Sequence, residues 1–280
     1  MDSPTSRLNV LQAEVERLTH YLTTLPPDAW HRPSACERWQ VADVVAHLTA
    51  GGHFVARSMA RGLQGEVGPP AGSPALSAHN EDTHRERMAQ SALVRRAQLG
   101  DQLFAAFIAS NEAVHQQLAA LAPQAWETLC YHPARLMPVR LLVEHRITEM
   151  AMHGWDIRAP SDPSTHLAPE SFPAFFPIII ERVVTRAFRP DARRSRPIGY
   201  RFVVTGPLTT TTDIVLSPEG AHVVPIGQAE VDVRFRCEAE PYILVMFGRR
   251  SLEAAIATGA VMVEGDHGLA IAFGESFQGG

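Results

Sequence analysis

Lysine is absent: all 25 basic residues of the 280-residue chain are arginine. That excludes Schiff-base chemistry and lysine nucleophiles, and the bias itself reads as the mark of a GC-rich coding sequence. Positive charge is in deficit too. The formal net charge is −5, which gives no reason to expect nucleic acid as a partner, because phosphate contacts demand clustered basic surface. Cysteine is scarce: Cys36, Cys130 and Cys237 are scattered, odd in number and in no CxxC arrangement. A disulfide framework or an all-cysteine zinc knuckle is therefore not expected, and a reducing cytoplasm is. Long hydrophobic runs are missing as well. "FPAFFPIII" is too short to span a bilayer and charge follows it directly, and "MDSPTSRLNVLQAEVERL" has no apolar segment of the signal-peptide kind. No membrane association is expected.

What is present is ordinary globular material, 45% hydrophobic and 20% charged, enough for one large domain or two modest ones. The first 157 residues read as helical. Leu8, Leu11, Val15, Leu18 and Leu22 repeat at threes and fours, one buried stripe, and "TLPPDAW" ends that helix with two prolines. A second helix is expected from about Gln40 to Leu63, with Gly51–Gly52 as its weak point. "GEVGPPAGSPALSAHN" is a loop by its glycine and proline density. A third helical region is expected from near His84 towards Leu121, and a fourth from near Pro138 through "VRLLVEHRITEMAMHGWDI". Four amphipathic helices of this size imply a bundle. "RAPSDPSTHLAPES" is a linker, one apolar segment then runs to Phe188, and the texture changes. "GYRFVVTG", "TDIVLS", "AHVVPI" and "VDVRFRC" are short β-prone runs, the last alternating Val231, Val233 and Phe235 with polar neighbours. "PYILVMFGRRSLEAAIATG" and "GLAIAFGESF" look helical around a "VMVEG" strand. The fold class is thus mainly α plus α+β: a helical domain over residues 1–160, then a smaller α+β domain over residues 161–280.

One helix carries a polar stripe. His145, Glu149 and His153 are spaced by four and project from nearly one face. Glu149 and His153, one turn apart, can hold a metal between them. Zinc accepts both donor types and at catalytic sites keeps an open position, with the third ligand coming from another helix. His47, set among apolar residues in "DVVAHL", is the obvious donor. His145 competes for that place or for a supporting one. The plainer readings are a solvated Glu–His pair and a hydrogen-bonded core histidine. Burying Glu149 without a partner would be costly, and Trp155 beside His153 marks a packed helix end. Asp156, three residues beyond His153, either orients the imidazole or caps the helix.

The segments "WHRPSACERWQVADVVAHL" and, far downstream, "EMAMHGWD" resemble the mycothiol-dependent maleylpyruvate isomerase family, a branch of the DinB-like metalloenzyme superfamily. The resemblance implies a DinB-like four-helix bundle that binds a divalent metal, usually zinc, through His47, Glu149 and His153. Water or the cosubstrate thiol, mycothiol, would complete the coordination. "FGRRSLEAAIATGAVMVEGDHGLAIAFGESF" resembles the sterol-carrier-like domain that often follows. One departure is Arg38, where a glycine commonly precedes the tryptophan. The family also uses an arginine from its second domain; Arg236, Arg249 and Arg250 are the candidates.

A three-ligand zinc with an open position stabilises a bound thiol as thiolate near neutral pH, and no protein cysteine need act as nucleophile. The resemblance implies thiolate addition to the cis double bond of maleylpyruvate, rotation and elimination. Attack on another electrophile would instead give thiol S-transfer. Two other functions are open: a zinc-water hydrolase, for which no base placed like that of HExxH is present, and an apolar-ligand-binding or scaffold protein with a non-catalytic bundle. The loop over residues 64–83 is a candidate wall for the substrate pocket.

Overall fold

The computed structural model describes residues 3–73, 75, 81–184, 196–218 and 220–276. The chain divides into two compact units, residues 1–166 and 167–280. No described helix is long and apolar enough to cross a membrane.

The first unit is helical. Helix α1 (Pro4–Thr24) starts at Ser3, whose hydroxyl accepts from the Ser6 amide, and buries Leu11, Leu18 and Leu22. The prolines after it set a short 3₁₀ turn, Pro27–His31. Helix α2 (Val41–Leu63) is fastened at its start by Asp43, whose Oδ2 accepts from the Gln40 amide at 2.9 Å. It runs unbroken through Gly51–Gly52, against the expected weak point. These glycines are places of close approach: a Cβ on Gly51 would lie 2.8 Å from Arg146 Nη1, and one on Gly52 would lie 2.8 Å from Ser110 Oγ. The helix keeps them because neighbours occupy the volume a side chain would need.

The third helical region is two helices, α3 (Glu81–Leu99) and α4 (Leu103–Ala119). Gly100, at φ +48°, breaks them apart inside a 3₁₀ turn, a conformation that costs glycine little. Of the expected loop, residues 74 and 76–80 lie outside the described residues, and α3 already begins at Glu81. Strands β1 (Leu129–Cys130) and β2 (Met137–Pro138) form a small hairpin that leads into α5 (Val139–Arg158), with Pro138 as its N-cap. Helices α1, α2, α4 and α5 make the bundle, and α3 packs on α2 and α4.

The second unit opens with helix α6 (Phe172–Ile178), which continues through a π-turn to Val183. The rest of the apolar segment, residues 185–188, falls outside the described residues. Strands β3 (Ile198–Thr205), β4 (Thr210–Ser217), β5 (Gly220–Val224), β6 (Val233–Glu238) and β7 (Val261–Gly265) form one sheet in the order β5-β4-β3-β6-β7. All its pairs are antiparallel except β3 with β6. Period-two alternation sends Tyr200, Phe202 and Val204 of β3 and Val233, Phe235 and Cys237 of β6 to the buried face. There they meet α7 (Ala239–Met246) and α9 (His267–Ser276) through Tyr242 and Phe273. Helix α8 (Leu252–Ala257) precedes β7. The stretch read as one helix after β6 is two, separated at Gly248, which sits at φ +68°.

Candidate metal centre

Helices α2 and α5 carry the site. One nitrogen of His47, one of His153 and one carboxylate oxygen of Glu149 all lie within 4.8 Å of one another. His47 Nε2 is 2.8 Å from Glu149 Oε2, and His153 Nε2 is 3.6 Å from the same oxygen. The two imidazole rings meet edge to face, 4.9 Å apart. Tetrahedral zinc with bonds near 2.1 Å separates its donors by about 3.4 Å. The three side chains therefore fit such an ion with small adjustments, and two nitrogens with one carboxylate are a donor set zinc accepts.

The electrostatics agree with a group of residues that need one another. Burial works against the Glu149 carboxylate, but hydrogen bonds and charge from His153 and His47 hold it well below the usual carboxylate range. Burial pushes His47 down, with Glu149 opposing. His153 is raised well above the ordinary imidazole value: burial opposes its charge, and Cys36, Asp156 and Glu149 outweigh that. A metal entering here competes with protons for these donors.

Surrounding residues orient the three. His153 Nδ1 lies 2.9 Å from Asp156 Oδ2, and Asp156 is fully buried. Of its two expected roles, Asp156 takes the orienting one. Helix α5 ends beyond it, with Ala159 as C-cap. Trp39 lies over both imidazoles, its ring 5.2 Å from that of His47 and 6.1 Å from that of His153. Trp155, on the far side of α5, is packed and donates to the Thr165 carbonyl at 3.2 Å.

His145 does not join the triad. Its Nδ1 is 4.0 Å from the other Glu149 oxygen, Oε1, and its ring lies 5.3 Å from that of His132. Arginine 146 is only 2% exposed. Its Nη2 donates to Asn111 Oδ1 at 2.9 Å, while its buried Nε has no hydrogen-bond partner among the described residues. Burial pushes this guanidinium down to about 10, with Glu149 the opposing influence.

The arginine candidates lie in the second unit. Arg236 Nε donates to Glu264 Oε1 at 2.7 Å across β6 and β7. Arg249 donates to the Phe247 carbonyl at 2.9 Å. Arg250 is exposed.

Two neighbours of the site escape a reading by spacing. Cys36 counts there as one of three scattered cysteines, yet its Sγ lies 2.9 Å from Asp156 Oδ2 and 3.6 Å from His153 Nδ1. Trp39 reads as a loop residue. Both do lie in the family-like segment "WHRPSACERWQVADVVAHL", Trp39 directly after Arg38, the position where glycine was expected. Arg38 has φ +68°, the left-handed region that glycine adopts at least cost.

The mycothiol maleylpyruvate isomerase N-terminal domain family has a model that matches residues 11–158. The chain belongs to that family. All three triad residues lie inside the matched span, which runs from within α1 to the end of α5. The crystal structure of the mycothiol-dependent maleylpyruvate isomerase superposes on the chain with a TM-score of 0.61 at 12% identity. It covers 94% of this chain and 96% of that one. A histidine-to-alanine mutant of the isomerase aligns with a TM-score of 0.61, 12% identity and the same coverage. These likenesses establish the fold over both units. The solution structure of sterol carrier protein domain 2 of Helicoverpa armigera aligns with 38% of the chain and 75% of its own length at 18% identity. Its TM-score of 0.22 is too low to define a shared fold. No protein of curated function is matched by sequence comparison.

Proposed function

We propose that the chain is a thiol-dependent isomerase or transferase with a zinc-type metal centre at His47, Glu149 and His153. Its cosubstrate is a low-molecular-weight thiol of the mycothiol type, and its second substrate is a small electrophile such as maleylpyruvate. The observation that carries this reading is the convergence of three donor atoms from α2 and α5 within 4.8 Å, inside the span matched by the family. Zinc bound there supplies a Lewis acid with an open position, which favours a bound thiol in its thiolate form.

The chain's own residues do the rest. With metal bound and the His153 proton displaced, two neutral imidazoles and one carboxylate would leave the centre cationic, which would favour an anionic sulfur. Asp156 lies against His153 Nδ1 and would keep its proton there, so that a metal displacing the other proton would find the lone pair on Nε2. Trp39 walls the two imidazoles on one side. In the isomerisation, the thiolate sulfur adds to one carbon of the conjugated cis double bond, and the displaced electron pair moves to the carbonyl oxygen. The new single bond rotates. Return of the pair expels the sulfur, which regenerates the thiolate and leaves the trans alkene, with no net gain or loss of atoms. An adduct that takes up the proton lost by the thiol instead of eliminating leaves as a thioether, which is S-transfer. A carboxylate on the electrophile calls for a guanidinium. Arg236, Arg249 and Arg250 remain the candidates; in the structure Arg236 pairs with Glu264 and Arg249 donates to a backbone carbonyl.

The test is metal content together with thiol-dependent turnover of maleylpyruvate, for the unaltered chain, His47→Ala and Glu149→Ala. Near one metal per chain, lost with turnover in both variants, is expected. A metal-free protein after preparation without chelators overturns the reading. Uptake indifferent to both substitutions moves the ligands elsewhere, with His145 next in line.

A further inference from the structure

Asp156 is fully buried, and a carboxylate so placed is costly unless it is well paired. Two donors converge on a single one of its oxygens, Oδ2: His153 Nδ1 and Cys36 Sγ, each at 2.9 Å. Sulfur and Nδ1 are themselves 3.6 Å apart, so thiol, carboxylate and imidazole close a triangle. That triangle lies on the Nδ1 edge of the ring, opposite the Nε2 edge that faces Glu149.

The segment carrying Cys36 is built to stay there. The Ala35 amide donates to the backbone carbonyl of Asp156 at 2.8 Å. Adjacent residues of the loop thus grip both the main chain and the side chain of one residue of α5. Ser34 closes the loop: its amide and hydroxyl both donate to the Trp39 carbonyl, at 2.9 and 2.8 Å, and its oxygen accepts from the Cys36 amide at 3.2 Å. Closing the turn puts Arg38 in the left-handed region at φ +68°, a strain of about 1 kcal/mol or more for a residue with a Cβ. The same loop presents Trp39 to the imidazoles, so one short segment supports His153 from two directions.

We propose that Cys36 is a positioning residue of the metal centre: its thiol donates to Asp156 Oδ2 and fixes the carboxylate that sets the ring and tautomer of His153. The inference rests on His153 being a metal ligand. Without the thiol, the buried carboxylate loses a donor on Oδ2 and turns more freely. The Nε2 lone pair of His153 then spreads over more directions. A merely structural thiol would affect folding and leave metal affinity and ligand geometry alone.

The experiment uses the full chain with Cys36 unaltered, Cys36→Ala and Cys36→Ser. Zinc affinity is measured by competition with a chromogenic chelator, and ligand geometry by the absorption of the cobalt-substituted protein. Outer-shell substitutions lower metal affinity about 10- to 100-fold, and Cys36→Ala, acting one bond further out, is expected near the lower end, about 10-fold. Its visible cobalt bands shift. Cys36→Ser, which keeps a donor, restores most of the affinity and the bands. Equal affinities and spectra for Cys36→Ala and the unaltered chain overturn the proposal. So does a near-ultraviolet thiolate-to-cobalt band with a second equivalent of metal, which makes Cys36 a ligand. A wild-type chain that binds no metal overturns the metal centre itself, a result separable from either.

Discussion

Along α5 alone the helical unit buries Glu144, Arg146, Thr148 and Asp156. In the sheet unit, Tyr200, Phe202, Phe235 and Phe273 stack against one another with ring centroids 4.7 to 6.1 Å apart. A buried polar group contributes little net stability even when satisfied, whereas each buried aromatic side chain contributes a large apolar area. The helical interior therefore spends packing on holding donors in place. The sheet interior also buries polar groups, Thr212 and Asp213 among them, but its large buried side chains are rings. The candidate metal donors and the aromatic stack thus lie in different units.

The largest effect expected is in the sheet. Phe235→Ala removes the ring central to that stack and should cost about 3–5 kcal/mol, read as a lower denaturation midpoint by far-UV circular dichroism. All four tryptophans, Trp30, Trp39, Trp126 and Trp155, lie in the helical unit, so their emission should change little, and metal content should be unaltered. Loss of metal in this variant would break the comparison. Metal removal is the converse test. At a metal concentration 100 times the dissociation constant, binding stabilises the folded form by about 2.7 kcal/mol. Chelation should lower the tryptophan-detected midpoint and leave the unfolding of the sheet unit unmoved.

Acid should separate the two units in another way. Asp213, paired with Arg201 at 2.7 Å, is buried in the sheet unit and held below the ordinary carboxylate value of 3.8 by the Arg201 hydrogen bond, against burial. A depressed carboxylate contributes stability that is present above its unfolded value and lost as pH falls through the folded one. Asp213→Asn should therefore lower sheet stability at neutral pH, with the difference from the unaltered chain shrinking below about pH 4. A difference that persists to the lowest pH would show that the ion pair is not its source. The smallest effect is expected at Arg38. Arg38→Gly relieves the left-handed strain and should raise the tryptophan-detected stability by about 1 kcal/mol or less, since glycine also loses more entropy on folding. Unchanged turnover should accompany it.

Much of the fold is legible in residue periodicity. The stripe Leu11–Leu18–Leu22 predicts α1, and the alternation through Val233 and Phe235 predicts β6. The misreadings have local causes. Gly51–Gly52 looks like a weakness in α2 because propensity scales see only the missing side chain; the atoms of Arg146 and Ser110 that fill its place belong to other helices. The break at Gly100 is invisible in an apolar pattern that continues across it. At the site, the spacing of Glu149 and His153 and the family resemblance point to the triad, but Cys36 carries no spacing signal at all.

The sequence by itself determined what lies within a few residues: that His145, Glu149 and His153 share one face of a helix, because 3.6 residues per turn makes positions four apart neighbours. It determined equally that no lysine acts and that a sheet follows the helices. Only the tertiary structure shows which histidine lies against the Glu149–His153 pair. His47 reaches Glu149 at 2.8 Å while His145 remains at 4.0 Å. That choice depends on the register of α2 against α5, which small residues such as Gly51 set by letting the two helices approach. It also decided that Cys36, 120 positions from Asp156, meets its carboxylate, because a contact between distant segments is fixed by how loops close and helices pack rather than by any local repeat.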